Sequence, residues 1–205
     1  MQDMFFGASD TTSTTLEWLM AELMKNPNVM NKAQEEVRRV MGKKTNIDMN
    51  DIDKMSYLKC VIKENLRLHP AVPLLLPRET ASDVEIGGYH IPAKTKVLIN
   101  AWANQRDTRS WVRPEEFIPE RFENSDVDFK GQDFQFIPFG IGRRGCPGIA
   151  FGLASTEYVI ANLLYWFDWK LPGGDGVELD MSEVNAITVP KKVPLHLLPI
   201  LPNVP

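Results

Sequence analysis

The sequence predicts a mainly α fold with small β segments, on three observations. Long stretches near both ends repeat their apolar residues every three or four positions, which is the period of an α-helix. The middle of the chain, residues 70–147, is rich in proline, glycine, tryptophan and arginine and contains short apolar runs between turn residues. With 43% hydrophobic and 24% charged residues, the composition is that of an ordinary globular protein.

Four helices account for the long periodic stretches. The first runs from the first residues to about Lys25, where an Asn-Pro pair ends it, and the second begins at Pro27 and ends at Gly42. The third spans about Met55–His69, with a proline directly after it. The fourth spans Gly148–Phe167 and is interrupted by polar residues, so it predicts a buried helix and not a membrane span.

The β segments are short. Val84–Ile86 and Tyr89–Ile91 flank a Gly-Gly pair, which predicts a tight hairpin, and Thr95–Asn100 predicts another strand. Residues 107–138 hold three prolines and scattered aromatic residues, which predicts an ordered meander without regular structure. A glycine-rich turn at residues 173–176 is expected to lead into a short β segment and a proline-rich tail.

Charge and cysteine content exclude some classes of protein. A net charge of −4 and a pI near 5.5 argue against a nucleic-acid-binding protein, which would show a basic face. Two cysteines, Cys60 and Cys146, make no disulfide framework and indicate a reducing compartment. The apolar residues already repeat at helical spacing from the first residues of the chain. We therefore expect that the upstream part of the protein is absent from this sequence.

The chemistry concentrates in residues 139–148, which read Phe-Gly-Ile-Gly-Arg-Arg-Gly-Cys-Pro-Gly. Cys146 stands just before a predicted helix, whose N-terminal N–H groups favour a thiolate, and Arg143 and Arg144 add positive charge. The glycines let a flat group approach the backbone, and a thiolate beside such a group suits a haem iron. Zinc is disfavoured, since no second cysteine or paired histidine lies at ligand spacing. The alternative is a helix-entry loop with a buried cysteine.

This segment fits the pattern Phe-x-x-Gly-x-Arg-x-Cys-x-Gly and resembles the cytochrome P450 family. The resemblance covers the whole chain and is greatest to plant microsomal enzymes of secondary metabolism. It implies that residues 1–205 are the C-terminal haem-binding portion of a single domain, the C-terminal part of the cytochrome P450 fold, with the N-terminal part absent. The implied cofactor is haem b, with Cys146 as the axial ligand of the iron and contacts from Arg78, Phe139, Arg144 and Gly148.

Glu64 and Arg67 lie three residues apart on the third helix and therefore share one face. Taken alone, such a pair is usually a solvated surface bridge that contributes little. A Pro-Glu-Arg-Phe sequence at residues 119–122 changes that interpretation. By the resemblance, Arg121 completes a buried network that holds the meander on this helix and supports the cysteine loop.

Residues 7–12 of the first helix are mostly small and polar. Such residues compete for backbone hydrogen bonds, so they predict a local opening of the helix with Thr11 bonded to the Gly7 carbonyl. The resemblance implies that Asp10 and Thr11 deliver protons while the O–O bond of dioxygen is cleaved. One departure is Ala8, which stands where the family commonly has glycine. The alternative is a helix rich in Ser and Thr that packs closely on a neighbour.

The resemblance also implies a pocket for a small lipophilic substrate, although each of its residues is equally compatible with ordinary core packing. Cys60 and the three histidines show no ligand spacing and are interpreted as structural. The implied pocket residues are Phe5, Phe6, Ala8, Val72, Leu75 and Ile187.

The implied activity is that of a haem-thiolate monooxygenase, which inserts one atom of dioxygen into its substrate with electrons from NADPH–cytochrome P450 reductase. The implied location is the cytoplasmic face of the endoplasmic reticulum membrane, held by an N-terminal anchor outside this chain. Basic residues near the cysteine loop are candidates for docking the reductase. They are Lys59, Lys63, Lys130 and Arg143.

Three alternatives stay open at the level of sequence. An isomerase or lyase on the same fold would need no proton relay, so the Asp10-Thr11 pair disfavours it. A non-haem redox protein with Cys146 as nucleophile is disfavoured, since no partner cysteine or histidine is evident. The third is a fragment that acts through interactions alone and never holds haem. In any case, we expect residues 1–205 alone to be inactive.

Overall fold

The computed structural model describes residues 2–174 and 177–202, apart from the side chains of residues 2–4 and 6. Helices dominate these residues, which confirms the predicted mainly α fold with small β segments. The helices are α1 (Gln2–Lys25), α2 (Pro27–Met41), α3 (Met49–Ile52), α4 (Ser56–Leu68), α5 (Ala101–Asn104) and α6 (Ile149–Trp166), with 3-10 turns at Pro119–Phe122 and Gly142–Arg144.

The ends of the long helices lie within one residue of their predicted positions where a strong local signal sets them. Pro27 stands in the first turn of α2, where its missing N–H costs no hydrogen bond. Gly42 follows α2 with a φ of 55°, a left-handed conformation that glycine adopts without strain. Its N–H donates to the Arg38 carbonyl at 2.9 Å and so closes the last turn.

Helix α1 is continuous, so the predicted local opening at residues 7–12 is wrong. The Thr11 hydroxyl donates to the Gly7 carbonyl at 2.6 Å, as expected, and the Thr15 hydroxyl donates to the Thr11 carbonyl at 2.8 Å. A helix carbonyl has two lone pairs, so it accepts a hydroxyl while it keeps its place in the helical ladder. The hydroxyls are therefore satisfied without breaking the helix.

The predicted hairpin is present as strands β2 (Val84–Ile86) and β3 (Tyr89–Ile91), which pair antiparallel. Its two turn residues, Gly87 and Gly88, have φ values of 59° and 83°. Positive φ at both central positions is the requirement of a type I′ turn, which matches the twist of the flanking strands.

The other strands differ from the prediction. The expected strand Thr95–Asn100 is shortened to β4 (Lys96–Val97), which pairs with β1 (Arg78–Glu79). Its end is set by Asn100, whose side chain accepts from the Ala103 N–H at 2.9 Å and so starts α5.

The expected β segment near the glycine-rich turn is also displaced. Strand β5 (Asp168–Lys170) precedes that turn and pairs with β6 (Leu198–Ile200) near the end of the chain. Residues 175–176 lie outside the described residues.

The main core lies where α1, α2, α4 and α6 meet. Apolar residues at helical spacing are buried there, among them Val37 on α2 and Leu58 and Ile62 on α4. A cluster of aromatic rings extends this core beneath the meander: Phe122 packs against Phe136 and Trp111 at centroid distances of 5.2 and 5.7 Å. Within the described residues, no helix is long and apolar enough to cross a membrane.

Candidate functional site

The cysteine loop, residues 139–148, connects the meander to α6. The Cys146 N–H donates to the Phe139 carbonyl at 3.0 Å, and the Gly145 N–H donates to the Gly142 carbonyl at 3.0 Å. Gly140 and Gly142 have φ values of 66° and 73°, so the loop turns where L side chains would be strained. The backbone that leads up to the sulfur is thereby fixed.

The thiol of Cys146 is exposed, whereas that of Cys60 is buried. The alternative of a buried cysteine in a helix-entry loop is therefore wrong. Helix α6 begins three residues after Cys146, and Gly148 at its N-cap leaves the first N–H groups without a side-chain cap. A Cβ on Gly148 would lie 3.8 Å from the Cys146 sulfur, so glycine keeps the space beside the thiol open.

The remaining predicted cofactor contacts lie on this loop or are bonded to it. Arg78 on β1 donates from Nη2 to the Arg144 carbonyl at 2.9 Å, which ties the strand to the loop. The Arg144 side chain itself is exposed. The ring of Phe139 packs edge-on against Phe129 at a centroid distance of 5.6 Å. Two arginines, one aromatic ring and one thiol are thus grouped, and their assignment to a cofactor stays a prediction.

Glu64 and Arg67 form a bidentate ion pair with both side chains at 0% exposure. The two bonds, Arg67 Nε to Oε2 and Arg67 Nη2 to Oε1, measure 2.8 and 2.9 Å. Arg121 adds a third bond, from its Nε to Glu64 Oε1, at 2.9 Å. The contacts that the predicted network requires are present, and the interpretation of a solvated bridge between Glu64 and Arg67 is wrong because the pair is buried.

The network binds main-chain atoms of the meander. Arg67 donates to the carbonyls of Pro114 and Glu116, and Glu64 accepts from the Ile118 N–H at 2.8 Å. Arg121 donates to further carbonyls between residues 112 and 116. The meander has little regular secondary structure, so many of its main-chain groups lack main-chain partners. The charged side chains of Glu64, Arg67 and Arg121 supply hydrogen bonds to several of these groups.

The predicted proton-delivery pair lies on α1. Asp10 is exposed, and Thr11 is half-buried with its hydroxyl bonded to the Gly7 carbonyl. Ala8, on the same helix, is half-buried.

The predicted pocket residues are less uniform. Phe5 and Ile187 are 71% and 70% exposed, and Val72 is half-buried. Leu75 is buried in a small cluster with Ala101 and Ile137, close to the cysteine loop. The side chain of Phe6 lies outside the described part of the chain.

The histidines have different environments. His69 stacks on Trp18 with ring centroids 4.2 Å apart, and its Nε2 lies 2.8 Å from a carboxylate oxygen of Glu22. His90 and His196 are exposed. Among the residues that the structure describes, no group of three or more His, Cys, Asp or Glu side chains is arranged to hold a metal ion.

The basic residues proposed for docking are partly engaged within the chain. The Lys63 ammonium donates to the Val127 carbonyl at 3.1 Å, and Lys59 pairs with Asp53 at 3.1 Å. Lys130 is 78% exposed and lies 3.5 Å from Asp128. The local acids reduce the positive field that the basic residues alone would produce.

Two buried polar residues of structural importance were missed by the sequence interpretation. Glu36 on α2 accepts from the N–H groups of Tyr57 and Leu58 at 3.0 and 2.8 Å, which caps the start of α4. Gln105, at 0% exposure, bridges the end of α4 to the approach of the cysteine loop. Neither residue carries a local sequence signal, because both act on segments distant in the chain.

Comparison with known proteins gives a consistent result. A family model described as cytochrome P450 matches residues 1–197. Phenylacetaldehyde oxime monooxygenase CYP71AN24 of Prunus mume is 62% identical over 202 residues, which cover 97% of this chain and 38% of the relative. Cytochrome P450 71A1 of Persea americana is 64% identical over 197 residues, covering 96% of this chain and 39% of the relative.

A costunolide synthase of Cichorium intybus is 53% identical over 202 residues, which cover 98% of this chain and 41% of that protein. The chain therefore spans about two fifths of the length of the curated relatives that it matches.

Proposed function

Because the chain belongs to the cytochrome P450 family, we propose that it carries the haem-binding portion of a haem-thiolate monooxygenase. One observation carries the proposal. The exposed thiol of Cys146 stands before the start of α6, on a loop whose backbone is held by hydrogen bonds at Gly145 and at Cys146 itself.

The residues present fit a haem group. Haem iron is held in proteins by a side-chain ligand such as a cysteine thiolate, and Cys146, with its exposed sulfur, would be that ligand. A flat macrocycle must approach the loop closely, and the Cβ-free position at Gly148 leaves that space beside the sulfur. Bound there, haem b would supply the binding and reductive activation of dioxygen.

Cys146 would coordinate the iron as a thiolate, close to the start of α6, whose first N–H groups have no side-chain cap. The guanidinium groups of Arg78 and Arg144 would bind the propionate carboxylates, a pairing for which arginine is well suited. The bond from Arg78 to the Arg144 carbonyl would keep β1 and the cysteine loop together while the two guanidinium groups bind the propionates.

Asp10 and Thr11 would assist proton delivery. The Asp10 carboxylate is exposed to water. The Thr11 hydroxyl donates its own proton to the Gly7 carbonyl, so the free lone pair of its Oγ1 would accept a hydrogen bond from outside the helix and hold a proton donor, such as water, in place. The Glu64–Arg67–Arg121 network would act at a distance, by holding the meander from which the cysteine loop extends.

For the substrate, we propose a small lipophilic plant metabolite. Two supporting observations are the apolar character of Phe5, Val72 and Ile187 and the name of the relative that acts on phenylacetaldehyde oxime. Electrons would come from NADPH–cytochrome P450 reductase, with the complete protein on the cytoplasmic face of the endoplasmic reticulum membrane.

The test is a haem titration of the complete natural polypeptide that carries this sequence, followed by a carbon monoxide difference spectrum. We expect one haem per chain and a thiolate-type Soret band. Cys146→Ala should abolish that band, because the ligand is removed. Cys60→Ala is the matched control, since burial raises the pKa of that thiol and keeps it protonated. Retention of the thiolate band in Cys146→Ala would refute the proposal.

A further inference from the structure

Gln105 follows α5, and its side chain is completely buried between two parts of the site. Its Nε2 donates to the carbonyls of Leu66 and Arg67 at 3.1 and 2.9 Å. Its Oε1 accepts from the Ile137 N–H at 3.0 Å. Both amide hydrogens and the amide oxygen are therefore bonded to main-chain atoms, which is an unusually complete use of one glutamine.

Each of these bonds satisfies a main-chain group that would otherwise be buried without a partner. Leu66 and Arg67 lie in the last turn of α4, where helical carbonyls have no partner within the helix. Ile137 is 5% exposed, so its N–H has little access to water. A buried group left unbonded carries its full desolvation cost, so the bridge fixes the distance between α4 and Ile137.

Ile137 leads directly into the cysteine loop. Its carbonyl accepts from the Gly140 N–H at 3.0 Å, and the Phe139 carbonyl accepts from the Cys146 N–H at 3.0 Å. Hydrogen bonds, joined by the peptide link between Phe139 and Gly140, thus connect α4 through Gln105 and Ile137 to the residue that carries the sulfur.

The ion-pair network reaches a different segment. Glu64 and Arg121 bond to main-chain atoms at residues 112–118 of the meander. Gln105 bonds to the N–H of Ile137, which lies 19 residues beyond Ile118 in the chain. The Arg67 Nη1 also donates to the Gln105 carbonyl at 2.9 Å, so the two systems are joined at that point.

We propose that Gln105 is a positioning residue for Cys146, which sets the place of the cysteine loop relative to α4 through the Ile137 N–H. The proposal rests on the proposed haem-thiolate function, because the loop is positioned there for the iron. Gln105 itself touches neither substrate nor cofactor.

The test uses Gln105→Met in the complete natural polypeptide, since methionine keeps nearly the same length and removes all three side-chain bonds. In the haem-free protein, hydrogen exchange of the amides of Ile137, Gly140 and Cys146 should become about tenfold faster or more. Amides of α2 should keep their rates. Gln132→Met, at an exposed position of the meander that contains Ile137, is the matched control and should change none of them.

A second readout follows the sulfur. In the haem-loaded protein, Gln105→Met should lower the fraction with a thiolate-type Soret band, while the Gln132→Met fraction stays at the wild-type level. Unchanged exchange at Ile137 together with an unchanged band would overturn the proposal. A uniform rise of exchange across α2, α4 and the loop would also overturn it, because that result describes a general stability role.

If Gln105→Met does not accumulate as folded protein, hydrogen exchange of the wild-type protein tests the role of Gln105. The amide of Ile137 and the side-chain amide of Gln105 should exchange through the same opening as the His69 amide at the end of α4, with the same dependence on denaturant. Free exchange of Ile137 while the Cys146 amide stays protected would contradict the proposal. A wild-type protein without a thiolate band would refute the proposed function, and exchange in the haem-free protein would still decide the role of Gln105.

Discussion

At the residue scale, Thr11 illustrates how one hydroxyl can be fixed without distorting its helix. Its bond to the Gly7 carbonyl measures 2.6 Å, and α1 continues through both residues. Because the bond is internal to the helix, its loss leaves packing largely intact. A change in chemistry after substitution would therefore report on the hydroxyl itself.

Thr11→Ala should keep the haem spectrum and lower the amount of product formed per NADPH consumed. Positioned acid–base groups contribute about 10²–10⁴-fold to the step that they assist. The measurement is the ratio of product to NADPH, with peroxide determined in parallel. Ser13→Ala is the control, since its hydroxyl also bonds a helix carbonyl, that of Asp10 at 3.0 Å. Equal coupling in both variants would show that Thr11 serves packing alone.

At the scale of elements, α4 is held at both ends by side chains from other parts of the chain. Glu36 of α2 accepts two N–H groups at its start, and its own exposure is 7%. Helix α4 has no side-chain cap of its own at Met55, so the carboxylate from α2 takes that place.

Glu36→Gln should destabilise the protein by about 1–2 kcal/mol, because a neutral amide accepts hydrogen bonds less strongly than a carboxylate and its NH₂ group faces N–H donors. The free energy of unfolding from denaturant titration gives the value. Glu35→Gln, one residue earlier and exposed, is the matched control and should stay within about 0.5 kcal/mol of wild type. A similar loss of stability in both variants would show that removing a negative charge from α2 is the cause, and not the loss of the cap on α4.

Arg67 is the second support of α4, and its removal should be more severe. Arg67→Ala leaves the buried Glu64 carboxylate without its bidentate partner, for which a cost of about 3–5 kcal/mol is typical. We expect little soluble protein and a large fall in the thermal midpoint. Arg109→Ala removes an 87% exposed guanidinium that pairs with Asp107 and should have little effect, because water can take its place. A normal yield and midpoint for Arg67→Ala would show that the network contributes little.

The sequence predicted these elements unevenly. The ends of α2 and α4 follow local signals such as Pro27 and Gly42, so they were predicted to within a residue. Strand β4 was predicted too long, because the side chain of Asn100 begins α5 and no propensity scale records that bond. The cysteine loop was identified as a candidate site from ten consecutive residues, whereas Gln105 bonds to atoms 32 to 39 positions away in the chain. Long-range main-chain bonds leave no periodic trace in a sequence.

At the scale of the whole molecule, α6 has apolar residues on more than one face. One face is buried in the core, including Ile160 and Leu164. Another bears large apolar side chains that stay in contact with solvent: Phe151, Tyr158, Val159 and Trp166 are 68%, 47%, 36% and 40% exposed. A helix that is apolar on all sides is normally covered on all sides.

Residues 1–205 expressed alone should therefore bind haem weakly or not at all, and should not turn over substrate. The exposed stripe on α6 favours self-association. By the proposed function, the loop that carries Cys146 and the first half of α1 would contribute only part of the surroundings of a flat cofactor. The relatives, of which this chain spans about two fifths, have additional length for the rest. Haem titration and size-exclusion chromatography of residues 1–205 are the measurements, and Phe151→Ser should raise the monomer fraction without creating haem binding. A stoichiometric, thiolate-ligated and active complex of these residues alone would contradict the prediction. It would mean that the exposed face of α6 needs no cover and that residues 1–205 suffice to enclose the cofactor.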